Sequence, residues 1–146
     1  MIEERQSAVG SRQSGAAVTG GAIRSYRDLR VWQLSIELTV DCYTATKEFP
    51  GSETYGLTSQ IRRFATSISA NIAEGYGRDN RGSYLQFLRI AQGSLKELET
   101  HLIVAHRLGY LDQRSEQGLL AGAEDVGKML RALIRSLERP PHEICT

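Results

Sequence analysis

"YLQFLRIAQGSLKELETHL", Tyr84–Leu102, decides the fold of this 146-residue chain. Apolar side chains return at Tyr84, Leu88, Ala91, Leu95, Leu98, Leu102 and, just beyond, Ala105, in alternating steps of four and three. Those steps put them on one line of an α-helix and make a heptad seam, the pattern of a helix packed lengthwise on others. The helix is expected from about Arg81 to Leu108, and at about 1.5 Å per residue it is roughly 40 Å long. Asp79 or Asn80 stands where an N-terminal cap belongs. Gly109 stands where a left-handed C-terminal cap belongs.

The same pattern extends outward in both directions. Downstream, a helix beginning near Asp112 or Ser115 repeats the seam at Leu119, Ala123, Val126, Leu130, Leu133 and Leu137, and Pro140-Pro141 ends it. Upstream, Leu57, Ile61, Phe64, Ile68 and Ile72 mark a helix that starts between Ser52 and Thr58 and stops at Gly75. Before that, Val31, Leu34, Leu38, Cys42, Ala45 and Phe49 share one face of a helix from about Asp28 to Lys47. Trp32, Ile36 and Tyr43 broaden that face, and Phe49-Pro50-Gly51-Ser52 closes it. No segment alternates like a strand. Four helices on short connections predict an all-α, up-down-up-down antiparallel four-helix bundle.

The bundle domain is expected over residues 26–139. Residues 1–25, rich in Gly, Ser, Ala and Gln, read as a disordered tail, and 140–146 as a short C-terminal one. The formal charge of +1 names no partner, so any electrostatic role must come from local clustering. The two cysteines, Cys42 and Cys145, are too few for a disulfide framework. Neither a leader-like nor a membrane-spanning apolar run is visible, so a cytoplasmic protein is expected.

Beside its core line the second helix carries Gln60, Arg63, Ser67, Asn71, Glu74 and Arg78, again in steps of three and four, and a third line of small residues at Ala65, Ser69 and Ala73. A solvated face would use Lys and Glu throughout. A line of Gln, Ser and Asn flanked by small side chains instead suits a second protein interface. The third helix has a matching stripe at Phe87, Ile90, Ser94, Glu97, His101 and Val104. The expectation is a homo-oligomer touching through these helices, with Gln60, Arg63, Ser67, Asn71, Glu74, Ser94 and Glu97 at the interface.

Between Tyr55 and Arg89 the cations are Arg62, Arg63, Arg78, Arg81 and Arg89, against Glu74 and Asp79. Guanidinium groups match phosphate bidentately, and Tyr76 and Tyr84 lie nearby as stacking surfaces. Symmetry would repeat the cluster around an oligomer, so these five arginines are the candidate nucleic-acid contacts. The plainer alternative pairs Arg62 and Arg63 with Glu53, Glu97 or Glu99 as helix-holding ion pairs. Catalytic signals are missing. Glu97, Glu99 and His101 do not make the Glu-x-x-His pairs of di-metal bundles. "GYGRDNRG", Gly75–Gly82, follows a helix and reads as a turn, not a phosphate loop. No cofactor, metal or catalytic residue is expected.

"YRDLRVWQLSIEL", "FPGSETYGLTSQIRRFATSISANIAEGYGR" and "YLQFLRIAQGSLKELETHL" closely resemble the bacterial four-helix-bundle proteins known as ribosomal RNA (23S) intervening sequence proteins. The resemblance spans roughly Tyr26 to Leu137. Its typical residues fall here at Asp28, Leu29, Trp32, Phe49, Pro50, Gln60, Arg62, Arg63, Ser67, Asn71, Glu74, Gly75, Arg78, Gly93, Ser94, Glu97, Glu99 and Thr100. Phe64 and Ser69 depart from the usual pattern. The resemblance implies a homopentamer. A related branch, the accessory variability determinants of diversity-generating retroelements, implies a basic barrel that binds nucleic acid and a reverse transcriptase. Two functions are therefore expected to compete: a non-enzymatic oligomer binding RNA or DNA, and a protein scaffold for a reverse transcriptase.

Overall fold

The structure, a computed structural model, describes residues 21–140. A short 3-10 turn, Tyr26–Asp28, leads into α1 (Arg30–Thr46). A second such turn, Gly51–Glu53, precedes α2 (Leu57–Tyr76), and α3 (Arg81–Arg107) and α4 (Gln113–Glu138) follow. No strand occurs among the described residues. α1 packs on α2 and α4, and α3 packs on the same two, with α2 and α3 the most extensive pair. The fold is the expected antiparallel four-helix bundle.

Local chemistry sets the helix ends. Asn80 caps α3 by accepting a 2.8 Å hydrogen bond from Ser83 N, and Asp112 caps α4 at 2.7 Å from Ser115 N. Gly109, with φ +83°, turns the chain after α3. α2 lacks a side-chain cap at Gly56, and the Glu53 carboxylate substitutes, accepting from Leu57 N at 3.1 Å. Tyr110 Oη donates to the same carboxylate at 3.1 Å while its ring packs 5.5 Å from Phe49. Glu53 thus ties the α1–α2 and α3–α4 connections together at one end of the bundle. Residues 1–20 of the expected tail and 141–146, with Cys145, lie outside the described residues. Arg24 N and Ser25 N both donate to Asp28 Oδ2, which joins the end of that tail to the first turn.

The seam residues are buried in all four helices, with Ile61, Ile68, Ile72, Leu88, Leu98 and Leu130 fully so. The details differ from the expected lines. On α1 the core is Val31, Ser35, Leu38, Cys42 and Thr46, with Leu34 and Ala45 only at its margin. Ser35 Oγ donates to Trp32 O at 2.7 Å and Thr46 Oγ1 to Cys42 O at 2.8 Å, so both hydroxyls enter the core satisfied. On α2, Ala65 and Ser69 are buried while Phe64 is half-buried. On α4, Gly127 and Ile134 are buried, and Leu133 and Leu137 sit at the margin. Burial pushes the Cys42 thiol up to about 12, with Asp41 adding to the effect.

Candidate functional site

The small line of α2 meets α1 at Ala65. Thr39 Oγ1 donates to Ala65 O at 3.1 Å, an approach that a larger residue at 65 would obstruct. At Ala65 the helix so admitted is this chain's own first helix.

The polar line of α2 and the second stripe of α3 lie side by side and form one surface. Ser67 Oγ and Ser94 Oγ are 2.9 Å apart, and Asn71 Nδ2 donates to Ser67 O at 2.8 Å and to Ser67 Oγ at 3.0 Å. This network at the centre of the strip is closed within one subunit, and Ser94 is buried. Toward one end His101 stacks on Phe64 with ring centres 5.4 Å apart, its Nδ1 2.7 Å from Glu97 O. Toward the other, Glu74 pairs with Arg78 at 2.9 Å, and the Arg78 guanidinium lies 4.8 Å from the Phe87 ring centre. Gln60 is half-buried, whereas Arg63, Glu74 and Glu97 are exposed. Along α3 the stripe ends in open apolar side chains: Ile90 is 46% exposed, Val104 42% and Leu108 55%.

The five arginines do not share one patch on the subunit. Arg62 turns to α1, donating from Nε to Thr46 Oγ1 at 2.9 Å and from a terminal nitrogen to Tyr43 O at 3.4 Å, with its guanidinium 4.7 Å from the Tyr43 ring centre. Arg63, its neighbour, leans toward the Phe64 ring at 5.9 Å on the α2–α3 surface. Arg78, Arg81 and Arg89 gather at the other end, about 24 Å along α2 from Arg62. There Arg81 donates to Arg139 O at 3.0 Å, and Arg89 pairs with Glu138 at 2.7 Å. Two of the three carboxylates offered as partners for Arg62 and Arg63 are engaged elsewhere: Glu53 caps α2, and Glu99 pairs with Lys96 at 2.9 Å. Tyr76 and Tyr84 meet edge to face at 6.1 Å, and burial raises the Tyr84 pKa above its ordinary value, with Tyr76 adding to it.

Among the described residues no group of three His, Cys, Asp or Glu side chains comes close enough to hold a metal ion. No helix among them is long and apolar enough to cross a membrane. An open groove of about 710 Å³ between α3 and α4, floored by Leu95 and Gly127 and edged by Lys96, Glu124 and Arg131, lies apart from the α2–α3 surface.

A solved structure described as a protein with unknown function from the S23 ribosomal protein family of Bacteroides thetaiotaomicron is similar to this chain. It superposes with a TM-score of 0.67 at 24% identity over 72% of this chain and 95% of that one, a likeness in fold. No curated protein matches. The family model described as 23S rRNA-intervening sequence protein matches residues 27–132. Its match covers the 3-10 turn, α1 to α3 and most of α4, and the chain belongs to that family.

Proposed function

We propose that this protein is a non-enzymatic homo-oligomer that binds nucleic acid, with five copies the number its family resemblance implies. The observation that supports association is the exposure of Ile90 and Val104 on the second stripe of α3, with Leu108 just past its end, each about half exposed with Glu97 and His101 between them. A helix that only faced water would place long charged side chains at those three positions as well. Apolar side chains left half exposed toward both ends of one stripe mark a contact surface. Association brings copies of each arginine together, and repeated modest charge becomes a surface that attracts phosphate.

Size-exclusion chromatography with light scattering tests the association. The wild-type chain is expected as a defined multimer at micromolar concentration, and Ile90→Asp with Val104→Asp as a helical monomer. A wild-type monomer would sink the proposal. Filter binding against RNA and DNA at two salt concentrations tests the second half. Sequence-tolerant affinity that drops steeply with salt is expected for the multimer. The monomeric variant should bind more weakly, since it loses the gain from several linked contacts.

A further inference from the structure

The antiparallel topology brings four chain segments to one end of the bundle. Thr39 sits level with Ala65, so the start of α1 lies level with the end of α2. The α2–α3 turn is at the same end, and the Arg81–Arg139 hydrogen bond places the close of α4 there too. These segments carry Arg24, Arg27 and Arg30 before and at the start of α1, Arg78 and Arg81 around the turn, and Arg135 and Arg139 at the end of α4. Asp28, Glu74, Asp79 and Glu138 oppose those seven arginines. The opposite end, over residues 44–60 and 104–118, has Lys47, Arg107 and Arg114 against Glu48, Glu53, Asp112 and Glu116. A chain of formal charge +1 therefore has one basic end and one slightly acidic end.

Folding accounts for part of this placement, because α2 and α4 end here and Arg78, Arg135 and Arg139 suit the partial negative charge of a helix C-terminus, but it does not account for Arg30 and Arg81. Two helices, α1 and α3, begin at the basic end, where the partial positive charge of a helix N-terminus favours acidic residues. Neither has an acid in its first turn, and each opens on an arginine, Arg30 and Arg81. Like charge beside a positive helix end works against the helix and in favour of an incoming anion. Ion pairing is sparse as well. Among the described residues only Arg78 of the seven pairs with a carboxylate side chain, while Arg27 lies 5.6 Å from the Tyr26 ring centre and Arg81 is held by a carbonyl oxygen. Neighbouring helix axes stand about 8–10 Å apart, so these guanidinium groups belong to a patch a few nucleotides across.

We infer that the end of the bundle formed by the start of α1, the α2–α3 turn and the close of α4 is the surface that takes the phosphate backbone of a nucleic acid strand. This rests on the nucleic-acid reading above and assigns it a location that Arg62 and Arg63, on the sides of α2, do not share. In a closed ring whose axis runs along the helices, every copy would present this end on the same rim.

The test is a titration of a labelled single-stranded RNA oligonucleotide with the full-length protein, as the wild type and two variants. One variant is Arg27→Gln, Arg135→Gln and Arg139→Gln, the other Arg62→Gln and Arg63→Gln. Circular dichroism and light scattering confirm that each keeps its fold and assembly. The end variant is expected to bind more weakly, with its log-affinity against log-salt slope flattened by about 2, the share of three phosphate contacts on a single strand. The side variant should keep the slope. Unchanged binding by the end variant overturns the assignment and leaves the nucleic-acid reading standing. Binding of neither RNA nor DNA by the wild type sinks that reading itself. Wild-type binding to phosphatidylserine vesicles but not to RNA overturns the inference in favour of a lipid surface.

Discussion

Replacing Gly75 by alanine should weaken the bundle although alanine is the better helix former. A Cβ built on Gly75 stands 2.8 Å from Phe87 Cβ, 3.1 Å from Tyr84 Cδ1 and 3.3 Å from Tyr84 O. Two of those atoms are backbone or directly attached to it, so neither can rotate away. Phe87 Cβ would have to retreat by about 0.6 Å to reach even a tight 3.4 Å contact, which means moving α3 off α2. Overpacking of this kind costs about 1–3 kcal/mol. Helix propensity returns at most about 1 kcal/mol, and less here because Gly75 lies in the last turn. The net loss is about 1–2 kcal/mol, a fall in melting temperature of roughly 3–8 °C for a domain of this size. Gly118 supplies the matched control: it is exposed, inside α4, with nothing within 4 Å of the added carbon. Gly118→Ala should gain about 1 kcal/mol and melt higher. Thermal melts followed by circular dichroism read both signs. A Gly75→Ala protein melting at or above the wild type would refute the close-approach argument.

Thr46→Val removes the acceptor of Arg62 Nε and should lower stability by about 1 kcal/mol, read as a shifted urea midpoint with an unchanged slope. The hydrogen bond to Glu53 raises the Tyr110 pKa, with burial and the Glu53 charge adding to it. Its stabilisation is therefore complete below the ordinary tyrosine pKa of about 10 and is lost as pH rises through the raised folded value. Tyr84 acts in the same direction in both proteins, so the Tyr110 contribution alone separates them: the wild type should lose melting temperature in alkali more steeply than Tyr110→Phe, and parallel curves would count against the Glu53 link. Cys42 is buried, and its thiol is pushed up to about 12. In a Cys145→Ser background, iodoacetamide should label it only under denaturing conditions, since the thiolate is the reactive form; rapid labelling of the native protein would contradict that burial.

The bundle was legible because three-four spacing survives in every helix, and its errors have identifiable causes. Ser35 and Thr46 are absent from the apolar line of α1 because they are polar by type. A hydroxyl that donates to a carbonyl three or four residues back is already satisfied, so it packs like a small apolar group. The expected seam on α4 slipped from Leu133 to Ile134 because a straight α-helix drifts about 20° per heptad against a strict seven-residue repeat. Phe64 gave way to Ala65 because α1 comes within hydrogen-bonding distance of the backbone at 65. The arginines were misleading for another reason. Arg62 and Arg63 are adjacent in sequence but about 100° apart around a helix, so one meets α1 and the other the α2–α3 surface. The basic end was invisible for the converse reason, since Arg27, Arg81 and Arg139 are far apart in the chain and only the antiparallel topology joins them.

The closed network at Ser67, Asn71 and Ser94 changes what the polar strip of α2 argues for. Its two hydroxyls already have partners, so it does not require a sister subunit. The case for association passes to Ile90, Val104 and Leu108, whose apolar surface water does not favour. If that face is covered by a neighbour, Arg63 and Glu97, exposed on it, are covered as well. An arginine held between subunits is paired there and is withdrawn from phosphate. The two roles given to Arg63 therefore exclude each other. Association through the sides of α2 and α3 leaves the ends of the bundle open, and of the two ends one is basic. A variant that abolishes assembly without touching the end arginines should keep the weak intrinsic affinity for RNA and lose only the gain from multiplicity, whereas loss of all binding would mean that the contact surface is built between subunits.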